Sequence, residues 1–176
     1  MIIRIPFFEE IQTVLLHMAP GMPPDLWWVT ALVIFILALA ATIDAYQAVI
    51  PDFLIFLGLL AVTATLGISS SWETAAAHLR QAIAAGALIW FINFLWESRF
   101  GYDALGMGDA KWTMLAVVCF GITPAIYAWC IGAILAVVFI LLCRAIGYAV
   151  TAVTFSPFLF TGLILGLYRL RFIGGF

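Results

Sequence analysis

Charged side chains are scarce in this sequence. They make up 9% of its 176 residues, whereas 66% of the residues are hydrophobic. Soluble domains carry about 25% charged residues, so this composition and the mean hydropathy of +1.21 indicate an integral membrane protein. The seven basic residues are scattered singly and the formal net charge is −2. This excludes the basic surface that binds nucleic acid, and we expect no nucleic-acid partner.

Residues that could hold a metal are also few. Cys119, Cys130 and Cys143 lie inside apolar runs at spacings that match no zinc or iron–sulfur ligand pattern. The two histidines stand alone in the sequence. We therefore predict no metal site and no cofactor.

Long uncharged runs predict the fold. The five runs are 26–43, 53–72, 81–96, 112–143 and 145–168. A transmembrane helix needs about 20 apolar residues, so four runs predict one span each. The 32-residue run predicts two spans, divided at 121–124, where glycine and proline interrupt it. The predicted fold is an all-α integral membrane protein, a bundle of six transmembrane helices.

The ends of these helices and the flanking segments follow from local signals. Residues 1–25 contain an amphipathic stretch that predicts an interfacial helix lying on the bilayer. Residues 26–168 form the predicted six-helix domain, and 169–176 a short tail. The pair Ser70 and Glu73 predicts a capping box that starts helix 3, which should run to about Trp96. Helix 4 is then expected at about 104–123 and helix 6 at about 146–168.

Two aspartates carry the predicted chemistry. Asp44 falls near the end of helix 1 and Asp109 in the first turns of helix 4, so an alternating bundle places both near the same membrane face. Acids within spans are rare and usually functional. Two neighbouring carboxyl groups share a proton, and such a pair can activate water against a peptide carbonyl. Two alternatives remain: helix-end residues that reach headgroup water, or proton relays of a proton-coupled carrier.

Three sequence blocks carry a family resemblance. Gly106-Met107-Gly108-Asp109-Ala110-Lys111 resembles the GxGDxK signature of the type IV prepilin peptidases, which are aspartic GxGD membrane proteases. Asp44, followed by Pro51 and Asp52, is similar to that family's other catalytic block. The segment 155–159 is similar to its late PFGPFL-like block, with Ser156 in place of the usual glycine.

The resemblance implies an activity and a location. It implies cleavage of prepilin or pilin-like leader peptides at the cytoplasmic face of the inner membrane, with Asp44 and Asp109 as the catalytic pair and no metal. The expected partners are membrane lipids and a substrate with a basic leader and an apolar helix. Because the sequence holds no CxxC pair, the chain resembles the short stand-alone members that have no N-terminal methyltransferase region.

Seven further residues are expected to bind substrate or shape the site: Gly106, Gly108, Lys111, Pro51, Asp52, Ser156 and Pro157. The two glycines would allow a close backbone approach, which a side chain would obstruct. Lys111 would either stabilise the anionic pair or reach the membrane interface. Asp52 is interpreted as a helix cap rather than a catalyst.

Helix 6 carries two features that leave alternatives open. Ser156 and Pro157 would either shape a substrate groove or produce a structural kink in this helix. Gly162 and Gly166 form a GxxxG pattern, which predicts a close helix contact or a homodimer face.

Overall fold

The computed structural model describes residues 27–102, 105–149 and 153–173, with the side chains of 170–173 excepted. The described residues form six α-helices: α1 (Trp27–Gln47), α2 (Asp52–Ser69), α3 (Trp72–Phe100), α4 (Met107–Phe120), α5 (Ile122–Ala145) and α6 (Ser156–Ile173). The all-α prediction is therefore confirmed.

Four of the helices, α1, α2, α3 and α5, are long and apolar enough to cross a membrane. Helix α4 has 14 residues, which at 1.5 Å per residue is about 21 Å, shorter than a hydrocarbon core of about 30 Å. The number of six spans therefore stays a prediction, as does the interfacial helix, which lies outside the described residues. Several apolar helices in one chain indicate a multi-pass membrane protein.

Several predicted boundaries are wrong. Helix α3 continues to Phe100 instead of ending near Trp96, and α4 begins at Met107 rather than near 104. Helix α6 begins at Ser156, about ten residues later than predicted. Pro157 therefore lies in the first turn, where its fixed φ and missing N–H are tolerated, and the predicted kink within the helix is wrong.

The start of α3 is capped one residue later than the sequence suggested. Ser71 is the N-cap, and its hydroxyl accepts a hydrogen bond from the Thr74 N–H at 3.1 Å. Ser70 and Glu73 therefore do not form the predicted capping box, because their register is shifted by one position. The side chains that follow still place one face of α3 toward the bundle.

Helix α4 lies at the centre of the bundle. Ten of its 14 residues are buried, and it packs against all five other helices. Gly58 of α2 and Gly86 of α3 leave room for Leu115 and Met114 of α4. The turn to α5 is made by Gly121 at a φ of 83°, within the predicted division of the long apolar run. Because α4 is enclosed on all sides, its first residues have a fixed place in the bundle.

Helices α5 and α6 approach each other at backbone distance. A Cβ atom added at Gly162 would lie 2.5 Å from the Ala128 carbonyl oxygen, and one at Gly166 would lie 2.7 Å from the Tyr127 Cβ. The GxxxG face of α6 is thus filled by α5 of the same chain. A homodimer through α6 stays a prediction, and it would need a different face of this helix.

Candidate active site

The two predicted aspartates face one cavity. Asp44 lies in the last turn of α1 and Asp109 in the first turn of α4, so helices of opposite direction bring them to the same end of the bundle. Their exposed fractions are 8% and 6%. Both line a cavity of about 830 Å³, and they are close enough to interact electrostatically. Two residues separated by 64 other residues in the sequence thus share one buried site.

Asp109 is held by hydrogen bonds on its side chain and on its backbone. The Ser156 hydroxyl donates to Oδ1 of Asp109 at 3.1 Å. The Asp109 N–H donates to the Gly106 carbonyl at 3.0 Å, and the Asp109 carbonyl accepts from the Thr113 hydroxyl at 2.7 Å. The Trp129 indole donates in turn to that hydroxyl at 2.9 Å. Ser156 of α6 therefore binds the carboxylate directly, while Gly106, Thr113 and Trp129 hold the backbone of Asp109.

Asp44 is held by its helix. Its carbonyl accepts from the Ala48 N–H at 2.8 Å, which closes the end of α1. Ala48 has a φ of 53°, a left-handed conformation that is uncommon for a residue with a Cβ atom. Within the described ranges no donor is hydrogen-bonded to the Asp44 carboxylate. Its position therefore depends on α1 and on the turn that follows.

That turn packs directly on the start of α4. Ile50, 5% exposed, lies against Gly108, where an added Cβ would be 3.0 Å from the Ile50 side chain. At Gly106 an added Cβ would meet Oδ2 of Asp109 at 3.5 Å, an ordinary contact distance. The prediction that a side chain obstructs this region therefore applies to Gly108, through Ile50, more strongly than to Gly106.

Lys111 and Asp52 form an ion pair at the rim of the cavity. The Lys111 ammonium lies 2.6 Å from Oδ1 of Asp52, and the two side chains are 37% and 77% exposed. The Lys111 ammonium is thus paired with Asp52 and forms no ion pair with Asp44 or Asp109 among the described residues, and its predicted reach to the membrane interface stays a prediction. Asp52 is the first residue of α2, whose N-cap is Pro51 with no side-chain cap hydrogen bond. The interpretation of Asp52 as the helix cap is therefore wrong, because its carboxylate binds Lys111 instead.

The remaining predicted residues do not line the cavity. Pro51 is the N-cap of α2, and Pro157 lies in the first turn of α6. Ser156 is fully buried behind Asp109, so it contacts the carboxylate rather than the open space. These three residues lie outside the cavity wall, and a site-shaping role for them stays a prediction.

The other side of the cavity is largely apolar. Its wall consists of one face of α5 and the segment before α6: Trp129, Ala133, Ala136, Val137, Val153, Thr154 and Phe155. The Trp129 and Phe155 rings pack with centroids 5.1 Å apart. This wall was not among the predicted site residues. The spacing of residues 129, 133, 136 and 137, which places them on one helical face, is the signal that could have indicated it.

Asn93 was also missed. It is a buried amide in α3, and its Oδ1 accepts a hydrogen bond from the Leu105 N–H at 2.9 Å. Leu105 lines the cavity. Asn93 stands within the uncharged run 81–96, and a polar residue in a predicted span is an available signal.

The arrangement suits acid–base chemistry on a substrate that is partly apolar. Two buried carboxyl groups in one cavity can act together as a general acid and a general base toward water. In the part of the chain that is described, no three His, Cys, Asp or Glu side chains are grouped so as to hold a metal ion.

One comparison with known proteins gives a match. The family model of the type IV leader peptidases matches residues 31–141, which include Asp44, Asp109 and helices α2 to α4 in full. Neither the curated proteins nor the solved structures give a significant match. The matched range covers more than half of the chain and ends before Ser156.

Proposed function

The chain belongs to the type IV leader peptidase family, and on this premise we propose that it is an intramembrane aspartic endopeptidase. Its substrates are prepilins or pilin-like proteins, and it cuts their leader peptides at the cytoplasmic face of the inner membrane. The observation that supports this most is the burial of Asp44 and Asp109 against one cavity.

In the proposed reaction the two carboxyl groups act as a unit. They share one proton, because two adjacent carboxylates do not both ionise easily. The ionised carboxylate takes a proton from water as the water oxygen attacks the scissile carbonyl carbon. The protonated partner donates to the carbonyl oxygen, and a proton then passes to the leaving amine as the C–N bond breaks.

The two sides of the cavity suit two parts of such a substrate. The apolar wall of α5 can receive residues of the substrate's apolar helix, while the leader lies toward Asp52 and Lys111 at the rim. In this proposed arrangement the peptide bond between leader and helix lies beside the aspartate pair. The apolar wall supports a substrate that is apolar on one side of the cut.

The test is cleavage by the purified full chain. A prepilin and its variant with the leader's terminal glycine changed to alanine are incubated with the wild type, Asp44→Asn, Asp109→Asn and Glu73→Gln. Glu73 lies in the first turn of α3, at the far end from the cavity, and serves as the matched control. We expect each aspartate variant to lose at least about 10³-fold in kcat/KM, and Glu73→Gln to match the wild type.

Two results would contradict the proposal. Substantial cleavage by Asp44→Asn, with none by Asp109→Asn, would show that the residues are not an obligate pair. Proton flux in liposomes without any cleavage would favour a proton-coupled carrier that uses the same two aspartates.

A further inference from the structure

Asn93 is the polar member of an otherwise apolar face of α3. The buried residues of this helix are Ala75, Ala82, Gly86, Ile89 and Asn93, which share one side of the helix. Asn93 is 6% exposed. An amide that is withdrawn from water costs free energy unless it is hydrogen-bonded, and more so in a membrane interior. An apolar residue at this place would avoid that cost. The presence of the amide therefore indicates that its hydrogen bonding has a structural or functional role.

The amide oxygen of Asn93 binds the backbone of the segment that leads into α4. Oδ1 accepts the Leu105 N–H at 2.9 Å, a contact between residues 12 positions apart. Leu105 lies outside any helix, so no helical carbonyl is available to its N–H group. The hydrogen bond therefore links a rigid helix to a loop position that has no regular secondary structure to define it.

From Leu105 the chain reaches Asp109 within four residues, and two of these are glycines. Gly106 is the N-cap of α4, and its carbonyl accepts the Asp109 N–H at 3.0 Å. The Gly106 backbone also lies beside the carboxylate, because a Cβ atom there would be 3.5 Å from Oδ2 of Asp109. Glycine lets the backbone take many conformations. A fixed point next to it therefore limits where the first turn of α4, and its carboxylate, can lie.

We propose that Asn93 is a positioning residue for the proposed peptidase reaction, holding the backbone at Leu105 so that Asp109 faces Asp44. It does not line the cavity and does not touch the reacting atoms. Its effect reaches Asp109 through the hydrogen bond to the Leu105 N–H and the short glycine segment. This inference rests on the proposed function for its catalytic part, whereas the anchoring of Leu105 is independent of any substrate.

Two substitutions of Asn93 test whether its acceptor oxygen, rather than the volume of its side chain, holds the Leu105 backbone. Asn93→Leu keeps the approximate volume and removes the acceptor, while Asn93→Asp keeps an acceptor oxygen at the same distance from the backbone. Gln81→Leu changes an exposed polar residue of the same helix and serves as the control. All three are prepared as the full chain.

The first measurement is hydrogen exchange of the Leu105 amide. We expect Asn93→Leu to raise its exchange rate at least about tenfold, while Gln81→Leu leaves it unchanged and Asn93→Asp stays near the wild type. An unchanged rate in Asn93→Leu overturns the anchoring role, whether or not the protein is a peptidase.

The second measurement is prepilin cleavage. A misplacement of about 1 Å can cost about 100-fold in rate, so we expect Asn93→Leu to lower kcat by about 10- to 100-fold with KM changed by less than about threefold. Asn93→Asp should recover at least half of that loss on a logarithmic scale. Faster exchange with unchanged kcat, or a loss that Asn93→Asp does not relieve, overturns the positioning role. Absence of cleavage by the wild type instead contradicts the proposed function.

Discussion

The surroundings of the two aspartates differ although both are buried to a similar degree. Asp109 is bound through its carboxylate, its N–H and its carbonyl, by Ser156, Gly106 and Thr113. Asp44 is placed by the last turn of α1 and by the strained Ala48 that ends this helix. Asp109 is therefore held through its carboxylate as well as its backbone, whereas Asp44 is held through its backbone at a single helix end.

This difference indicates that one carboxyl group of the site has a fixed orientation while the other can change its orientation. A carboxyl group that several partners orient is preorganised, and it loses little entropy when it reacts. A partner whose side chain is less restrained can adapt its position to the substrate or to the shared proton. The comparison predicts that changes near Asp109 cost more activity than matched changes near Asp44.

Lengthening each carboxylate by one methylene group should produce the largest contrast. In Asp109→Glu the carboxylate is displaced from the Ser156 hydroxyl, and we expect a loss of about 100-fold in kcat, as for a misplacement of about 1 Å. In Asp44→Glu we expect only about tenfold. Cleavage kinetics with saturating prepilin measure both values. Equal losses, or a greater loss for Asp44→Glu, would remove the distinction between a fixed and an adjustable carboxylate.

Gly108 and Ile50 connect the two regions directly. In Gly108→Val the new side chain meets Ile50 within van der Waals contact and pushes the turn after Asp44 away from α4. We expect about a 30-fold loss in kcat/KM, equivalent to about 2 kcal/mol. The same substitution in an Ile50→Ala background should cost less than about fivefold, because the obstructing side chain is gone. A loss that is the same in both backgrounds would show that Ile50 is not the cause.

A substitution of Ser156 tests a single restraint on Asp109, the hydrogen bond to its carboxylate. Ser156→Ala removes the hydroxyl that donates to Oδ1, and we expect a three- to tenfold lower kcat, about 1 kcal/mol for one hydrogen bond. Thr161→Val removes an exposed hydroxyl that bonds within α6 and is the matched control. Both are compared in kcat and in thermal midpoint. If the two variants have the same kcat, the hydroxyl of Ser156 does not orient the carboxylate.

The Lys111 and Asp52 pair should give the smallest effect. Both side chains are partly or largely exposed, and such pairs contribute about 0.2–1 kcal/mol. A double-mutant cycle of Lys111→Met and Asp52→Asn, followed by chemical unfolding of the purified protein, measures the coupling free energy. A coupling free energy above about 2 kcal/mol would contradict this expectation. It would mean that the ion pair contributes more to stability than a single hydrogen bond near Asp44 or Asp109 does.

Much of the fold could be predicted from the sequence because membrane helices are encoded locally. Runs of apolar residues predicted the six helices, and Gly121 indicated the division between α4 and α5. The boundaries near Asp109 were wrong because the length of α4 depends on its neighbours: a helix enclosed by five others need not span the bilayer by itself. The late start of α6 at Ser156 had a local signal in Pro157, since proline favours the first turn of a helix, but the uncharged run around it was interpreted as one continuous span.

Of the candidate site, the sequence indicated both aspartates and their common cavity but not the side chains that hold them. The Asn93 contact with Leu105, and the contact of Trp129 with Thr113, join residues on different helices. Such contacts depend on helix rotation, which periodicity defines only coarsely. The partner of Lys111 could not be chosen from the sequence, since Asp44, Asp52 and Asp109 were all available at that end of the bundle.

The contact between Gly162 of α6 and the backbone around Ala128 and Gly132 of α5 also limits how a substrate can arrive. Two main chains that touch leave no gap that a third helix could enter, so this pair forms a closed wall behind the cavity. In the proposed reaction, a pilin segment that diffuses in the plane of the bilayer has to reach the aspartates through a different opening between helices. Gly162 and Gly132 would then determine the route of the substrate without contacting it.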